Sequence, residues 1–90
     1  VILLQDNELD TIIVGDDTGP IGLINYVIED DVLVITHTEV DEAYQGAGYG
    51  AFLVSSALGL ATLHQYKQGA TCPYAIKYFE KHGIENHAKG

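Results

Sequence analysis

"DEAYQGAGYGAFL", residues 41–53, sets three glycines on alternate positions, Gly46, Gly48 and Gly50, between a charged approach and a long apolar run. The periodicity of the chain changes across this stretch. Before it, Val1 to Leu4, Thr11 to Val14, Ile21 to Glu29 and Val32 to Val40 are rich in Val, Ile, Leu and Tyr, and "DNELD", "GDDTGP" and "EDD" separate them with turn chemistry. These segments are predicted strands, and their tight connections imply antiparallel neighbours. After it, Leu53, Ala57, Leu60 and His64 recur at helical spacing, with Val54, Leu58 and Ala61 widening the stripe, which predicts a helix from Ala47 to about Leu63. A short strand, Tyr66 to Thr71, follows. Pro73 then opens a second helix, "YAIKYFEKH", which Gly83 ends. The polar tail "IENHAKG" is expected to fray. The order β-β-β-β-α-β-α belongs to an α+β (α/β) domain, one mostly antiparallel sheet backed by helices.

Ninety residues, 47% of them hydrophobic, suffice for one folded domain, residues 1–90, with a narrow stability margin that a ligand or a second subunit in a homodimer would widen. The single cysteine, Cys72, excludes an internal disulfide and suits a reducing cytoplasm. No Cys/His spacing of a metal site occurs, so no metal is expected. The apolar run from Ala51 to Leu63 is too short to cross a bilayer, so no membrane partner is expected. The net charge of −9 and the lack of any arginine exclude nucleic acid, whose phosphates need clustered cations. Eleven of the thirteen acids fall at or before Glu42, whereas all four lysines follow it. That asymmetry permits an anion held by the second half and a cation attracted to the first, although on charge alone a solvated acidic face that keeps the protein soluble explains it better.

A strand, a glycine-rich turn and a helix bring free backbone N–H groups together on an anion, with the helix dipole in support. The Walker pattern is excluded, because no Lys-Ser/Thr pair follows the glycines. The dinucleotide pattern overlays Gly46, Gly48 and Ala51 but needs an acid about 20 residues on, and none lies between Glu42 and Glu80. The acyl-CoA pyrophosphate pattern Q/R-x-x-G-x-G/A fits Gln45, Gly48 and Gly50 at every fixed position.

"ITHTEVDEAYQGAGYGAFLV" followed by "CPYAIKYFEKH" resembles the short, single-domain (YjdJ-like) branch of the GNAT acyl-CoA N-acyltransferase superfamily, in which H-T-x-V, G-x-G-x-G, Cys-Pro with an aromatic, and a later His occur in order. The resemblance covers about Leu23 to His82. Asp41 departs from it, standing where the family usually has Pro. The resemblance implies a minimal GNAT-like fold in which a parallel strand pair, Val32 to Val40 and Tyr66 to Thr71, splays apart around acetyl-CoA, with two or more packed helices. It also implies that the pantetheine arm pairs with backbone near Val40. The pyrophosphate then rests on amides of Gln45, Gly46, Ala47, Gly48, Tyr49 and Gly50.

Acyl transfer to an amine requires removal of a proton, since a free alkyl amine has a pKa of about 10. Strict alternation along Val32 to Val40 puts Leu33, Ile35, His37 and Glu39 on one face, making His37 and Glu39 candidates for base and orienting partner; both also suit ordinary sheet positions. The N–H of Val40 would polarise the thioester carbonyl, as the resemblance implies. Cys72, at a helix start that favours thiolate, suits either a nucleophile or a small residue shaping the acyl pocket. Tyr74 and Tyr78 stand in the helix where relatives place a tyrosine that protonates the departing sulfur, and both also suit packing on the sheet. Lys67, Lys77 and Lys81 are candidate phosphate contacts or solvated surface lysines, and His82 is the later His of the pattern or a helix cap. These readings converge on an acetyl-CoA-dependent N-acetyltransferase acting on an amine acceptor, a small cationic amine or a lysine side chain. The alternative is an acyl-CoA-binding module without turnover.

Overall fold

The computed structural model describes residues 2–6 and 10–88. Val1 and the middle of the "DNELD" turn lie outside the described residues, as do the last two residues of the tail. Five strands form one sheet in sequence order: β1 (Ile2–Asp6), β2 (Thr11–Asp16), β3 (Gly19–Glu29), β4 (Val32–Val40) and β5 (Lys67–Ala70). The first three pairings are antiparallel. The last is parallel and short, running only from Val32 opposite Lys67 to Ile35 opposite Ala70. Between β4 and β5 the chain makes a 3-10 turn (Glu42–Tyr44) and helix α1 (Tyr49–Leu63), and after β5 comes α2 (Pro73–His82). The expected mixed α/β architecture is therefore present, with the helix starting two residues later than the periodicity predicts.

Helix α1 buries Gly50, Leu53, Val54, Ala57, Leu58 and Ala61. That stripe recurs at the helical period, and its small residues let the helix axis approach the sheet closely. Leu60 is half-buried and His64 exposed beyond the helix end, so the apolar face is centred one residue away from the predicted line. Against it pack Ile12, Val14, Ile24, Tyr26, Leu33 and Ile35 from the sheet and Ala75 and Phe79 from α2, in one core cluster. Pro73 sits at the start of α2, and Gly83, at φ +65°, closes it.

Two departures from expectation shape the site. The first is a bulge in β4: Asn25 pairs with His37 but Tyr26 with Ile35, leaving Thr36 as an extra residue. Side chains beyond a bulge change face relative to strict alternation. Thr38 and Val40, cross-strand partners of Ile24 and Gly22, thus join the inner face with Leu33 and Ile35, while His37 and Glu39 turn to the outer face. The predicted grouping of His37 and Glu39 with Leu33 and Ile35 is corrected accordingly. The second concerns the tail, which docks instead of fraying. Asn86 accepts from the N–H of Ala70 at 3.0 Å and donates to its carbonyl at 2.9 Å, and the N–H of His87 donates to Gln68 O at 2.9 Å. Gly69 makes room, because a Cβ there would lie 2.7 Å from the N of Ala88.

Candidate active site

Beyond Ile35 the parallel pair separates. The amides of Thr71 and Cys72 both donate to the single carbonyl of Ile35, at 2.9 and 3.3 Å, and the chain then turns into α2. Among the described residues, the second half of β4 has no strand neighbour on that side. The N–H of Asp41 donates to Ile21 O, so Asp41 points its backbone at β3. Alternation then directs the N–H and carbonyl of Val40, and of Thr38 before it, into the gap. The carbonyl of Val40 accepts from Gln45 Nε2 at 3.3 Å, which pins the loop to the strand end.

The glycine loop closes the far side. Gly46 and Gly48 have φ of +84° and +88°, values at which a Cβ is strained. A Cβ at either would meet no atom within 4 Å apart from its chain neighbours, so backbone conformation explains these two glycines and packing does not. Gly50 differs: it is helical, and a Cβ there would lie 2.6 Å from the Tyr74 hydroxyl and 2.7 Å from its ring. The first bond within α1 runs from the Phe52 N–H to the Gly48 carbonyl at 3.0 Å, and no side chain caps the helix. Among the described residues, the amides of Gly46, Gly48, Tyr49, Gly50 and Ala51 have no hydrogen-bond acceptor.

All of these but Ala51 line a groove of about 490 Å³, together with Thr38 and Val40, Tyr44 and Gln45, and Tyr74. The loop is braced from outside. Asp16 accepts from the amide and hydroxyl of Thr18, at 2.8 and 2.6 Å, contacts that hold its carboxyl below the usual range. Its second oxygen accepts from the Tyr44 hydroxyl at 3.3 Å, and the Tyr44 ring meets that of Tyr49 edge-on at 5.8 Å.

The scan of protein families matches one model, GCN5-related N-acetyl-transferase, over residues 11–88. The chain belongs to this family. Among solved structures it is similar in fold to a GCN5-like protein from Staphylococcus aureus, at 22% identity and TM-score 0.68 over 96% of this chain and 92% of that one. It is also similar to N-acetylglutamate synthase from Neisseria gonorrhoeae, solved with coenzyme A and N-acetylglutamate, at 18% identity and TM-score 0.70, covering 89% of this chain and 22% of that one. A transcriptional regulator from Bacillus halodurans C-125 matches at 17% identity and TM-score 0.66 over 89% of this chain, which spans 61% of that structure. No curated protein matches the sequence.

Within this N-acetyltransferase fold the expected residues divide. Val40, Gln45, Gly46, Gly48, Tyr49 and Gly50 all line the groove, while Ala47 is exposed beside it with its N–H on Tyr44 O at 3.4 Å. His37 and Glu39 lie exposed on the outer face; Glu39 lines a second groove of about 450 Å³ with Ile13, Leu23, Asp41 and Glu42. Cys72 is buried, and its thiol donates to the Thr38 hydroxyl at 3.7 Å. Burial disfavours its thiolate, but the amides of Ala75 and Tyr74 and the Thr38 hydroxyl outweigh it, so the thiol lies below its ordinary pKa. Tyr78 stacks on His82 at 4.2 Å and does not line the groove; Tyr74 does. None of Lys67, Lys77 and Lys81 lines it. Sequence reasoning passed over Thr38, because only the bulge brings it to the inner face, and Tyr44, whose link to Asp16 spans 28 positions. Among the described residues no cluster of His, Cys, Asp or Glu suits a metal, and no helix is long and apolar enough to cross a membrane.

Proposed function

We propose that the chain is an acetyl-CoA-dependent N-acetyltransferase acting on an amine acceptor, transferring the acetyl group directly. One observation carries this reading: Gly46, Gly48, Tyr49 and Gly50, whose amides are free among the described residues, line the same groove as Thr38 and Val40 at the open edge of β4. An anion is stabilised by such donors and by the helix dipole. An extended amide-bearing arm pairs with a strand edge as another strand would. Coenzyme A has both parts in that order, a diphosphate followed by pantetheine. The thioester carbonyl then lies by the Val40 N–H, which donates to it and stabilises the negative charge developing on oxygen. The amine nitrogen bonds to the acyl carbon, the carbon–sulfur bond breaks, the thiolate departs and the amine proton passes to His37 or water.

His37 and Glu39 share the outer face, so the acceptor approaches from the side of the sheet opposite α1. The acidic groove there, with Glu39, Asp41 and Glu42 around the apolar Ile13 and Leu23, supports a cationic acceptor, either a small amine or a lysine side chain. Near neutral pH the leaving thiol needs little protonation, since its pKa is about 8.5. Cys72, one hydrogen bond removed from the groove wall, shapes the acyl end through Thr38. The fact that His37, Glu39, Cys72 and Tyr78 all lie off the groove favours a second reading, a binding module without turnover. Thiol release from acetyl-CoA across an amine panel decides between them. Release that depends on the amine is expected; coenzyme A binding without release would establish the module, and no melting shift with coenzyme A would exclude both.

A further inference from the structure

We infer that Tyr74 is a diphosphate ligand of the coenzyme A site, its phenol adding a side-chain donor beside the amides of the first turn of α1 in a groove that no described lysine lines; this rests on the coenzyme A reading above. Four residues with free amides, Gly46, Gly48, Tyr49 and Gly50, line the groove, and among the described residues neither Lys67, Lys77 nor Lys81 does. Tyr74 is 47% exposed, and its hydroxyl lies 2.6 Å from where a Gly50 Cβ would stand. Cα–Cβ bonds of a helix tilt toward its N-terminus. A group lying on the missing Cβ of Gly50 therefore lies on the side of the first turn where the amides of Tyr49, Gly50 and Ala51 open. Among the described residues the hydroxyl has no protein partner, so its proton is available to an anion gathered by those amides.

This assigns the third glycine a role distinct from the other two. Gly46 and Gly48 permit the backbone turn, whereas Gly50 is the seat of the phenol. Its φ is ordinary for a helix, and alanine at this position would favour the helix intrinsically. Apart from its chain neighbours and the helix's own backbone, the three atoms nearest a methyl group there all belong to Tyr74.

Calorimetry with coenzyme A and with 3′-phosphoadenosine 5′-diphosphate, which keeps the diphosphate and lacks the pantetheine arm, tests the assignment. A hydrogen bond to a charged group corresponds to about tenfold in affinity. Tyr74→Phe should weaken both ligands by about that factor while leaving the melting temperature of the free protein unchanged. Gly50→Ala should displace the phenol and weaken binding to a similar degree, with no further loss when combined with Tyr74→Phe. Wild-type affinity for both ligands in Tyr74→Phe overturns the inference, as does a loss confined to coenzyme A, which would put the phenol on the arm. If the wild type binds neither ligand, the coenzyme A reading fails and takes this inference with it.

Discussion

The two halves of β4 obey opposite rules. From Val32 to Ile35 the strand is paired on both sides and every side chain is buried. From Thr36 to Val40 it is paired only with β3, its side chains are polar or half-exposed, and its free edge faces the groove. One strand thus supplies a fold anchor and a binding edge, divided at the carbonyl of Ile35. The first half satisfies its backbone groups on both sides within the protein; the second is paired on one side by β3 and turns its other edge to the groove.

The largest expected effect comes from the anchoring half. Ile35→Ala removes a fully buried side chain, and urea unfolding should show a loss of about 2–5 kcal/mol. Protein that remains folded should keep its melting shift with coenzyme A; loss of that shift at matched stability would blur the division. Next is Gly48→Val in the loop facing the open half. A β-branched residue at φ +88° is expected to cost about 1–2 kcal/mol, yet to abolish the coenzyme A shift, because the amides turn away. A normal shift in this variant would remove the basis of the anion cradle.

The smallest effect concerns the junction. Because the native Cys72 thiol lies below its ordinary pKa, iodoacetamide alkylation should have its midpoint below that of an unfolded control. Thr38→Val, by removing the hydroxyl partner, should raise the midpoint toward the control. The sign for stability follows. A depressed pKa stabilises the fold fully above the unfolded-state value, and that contribution disappears as pH falls through the native one. An unchanged midpoint in Thr38→Val would detach Cys72 from the groove wall.

The anchoring half was plain in the letters: "VLVI" is a continuous apolar run, as a strand covered on both faces requires. The glycine loop was also legible, since alternate glycines before an apolar helix have few physical uses. What could not be read was which way "THTEV" faces. A single inserted residue reverses inside and outside, and Thr36, the residue that bulges, is no different in type from Thr38. Nor could composition show that Gly50 answers to Tyr74, a residue on another helix. Asn86 escaped notice for a similar reason: in sequence a polar tail looks solvated, and only the geometry of Ala70 gives its amide two partners.

That amide has a consequence for how molecules coexist in solution. A bare outer strand invites a neighbouring protein to continue the sheet and start a chain of stacked copies. One carboxamide, offering a donor and an acceptor in the geometry of a peptide group, occupies the outer strand at Ala70 and blocks that recruitment. Asn86 in this respect closes the β5 edge of the sheet, on the other side of that strand from the gap in which chemistry is proposed to occur.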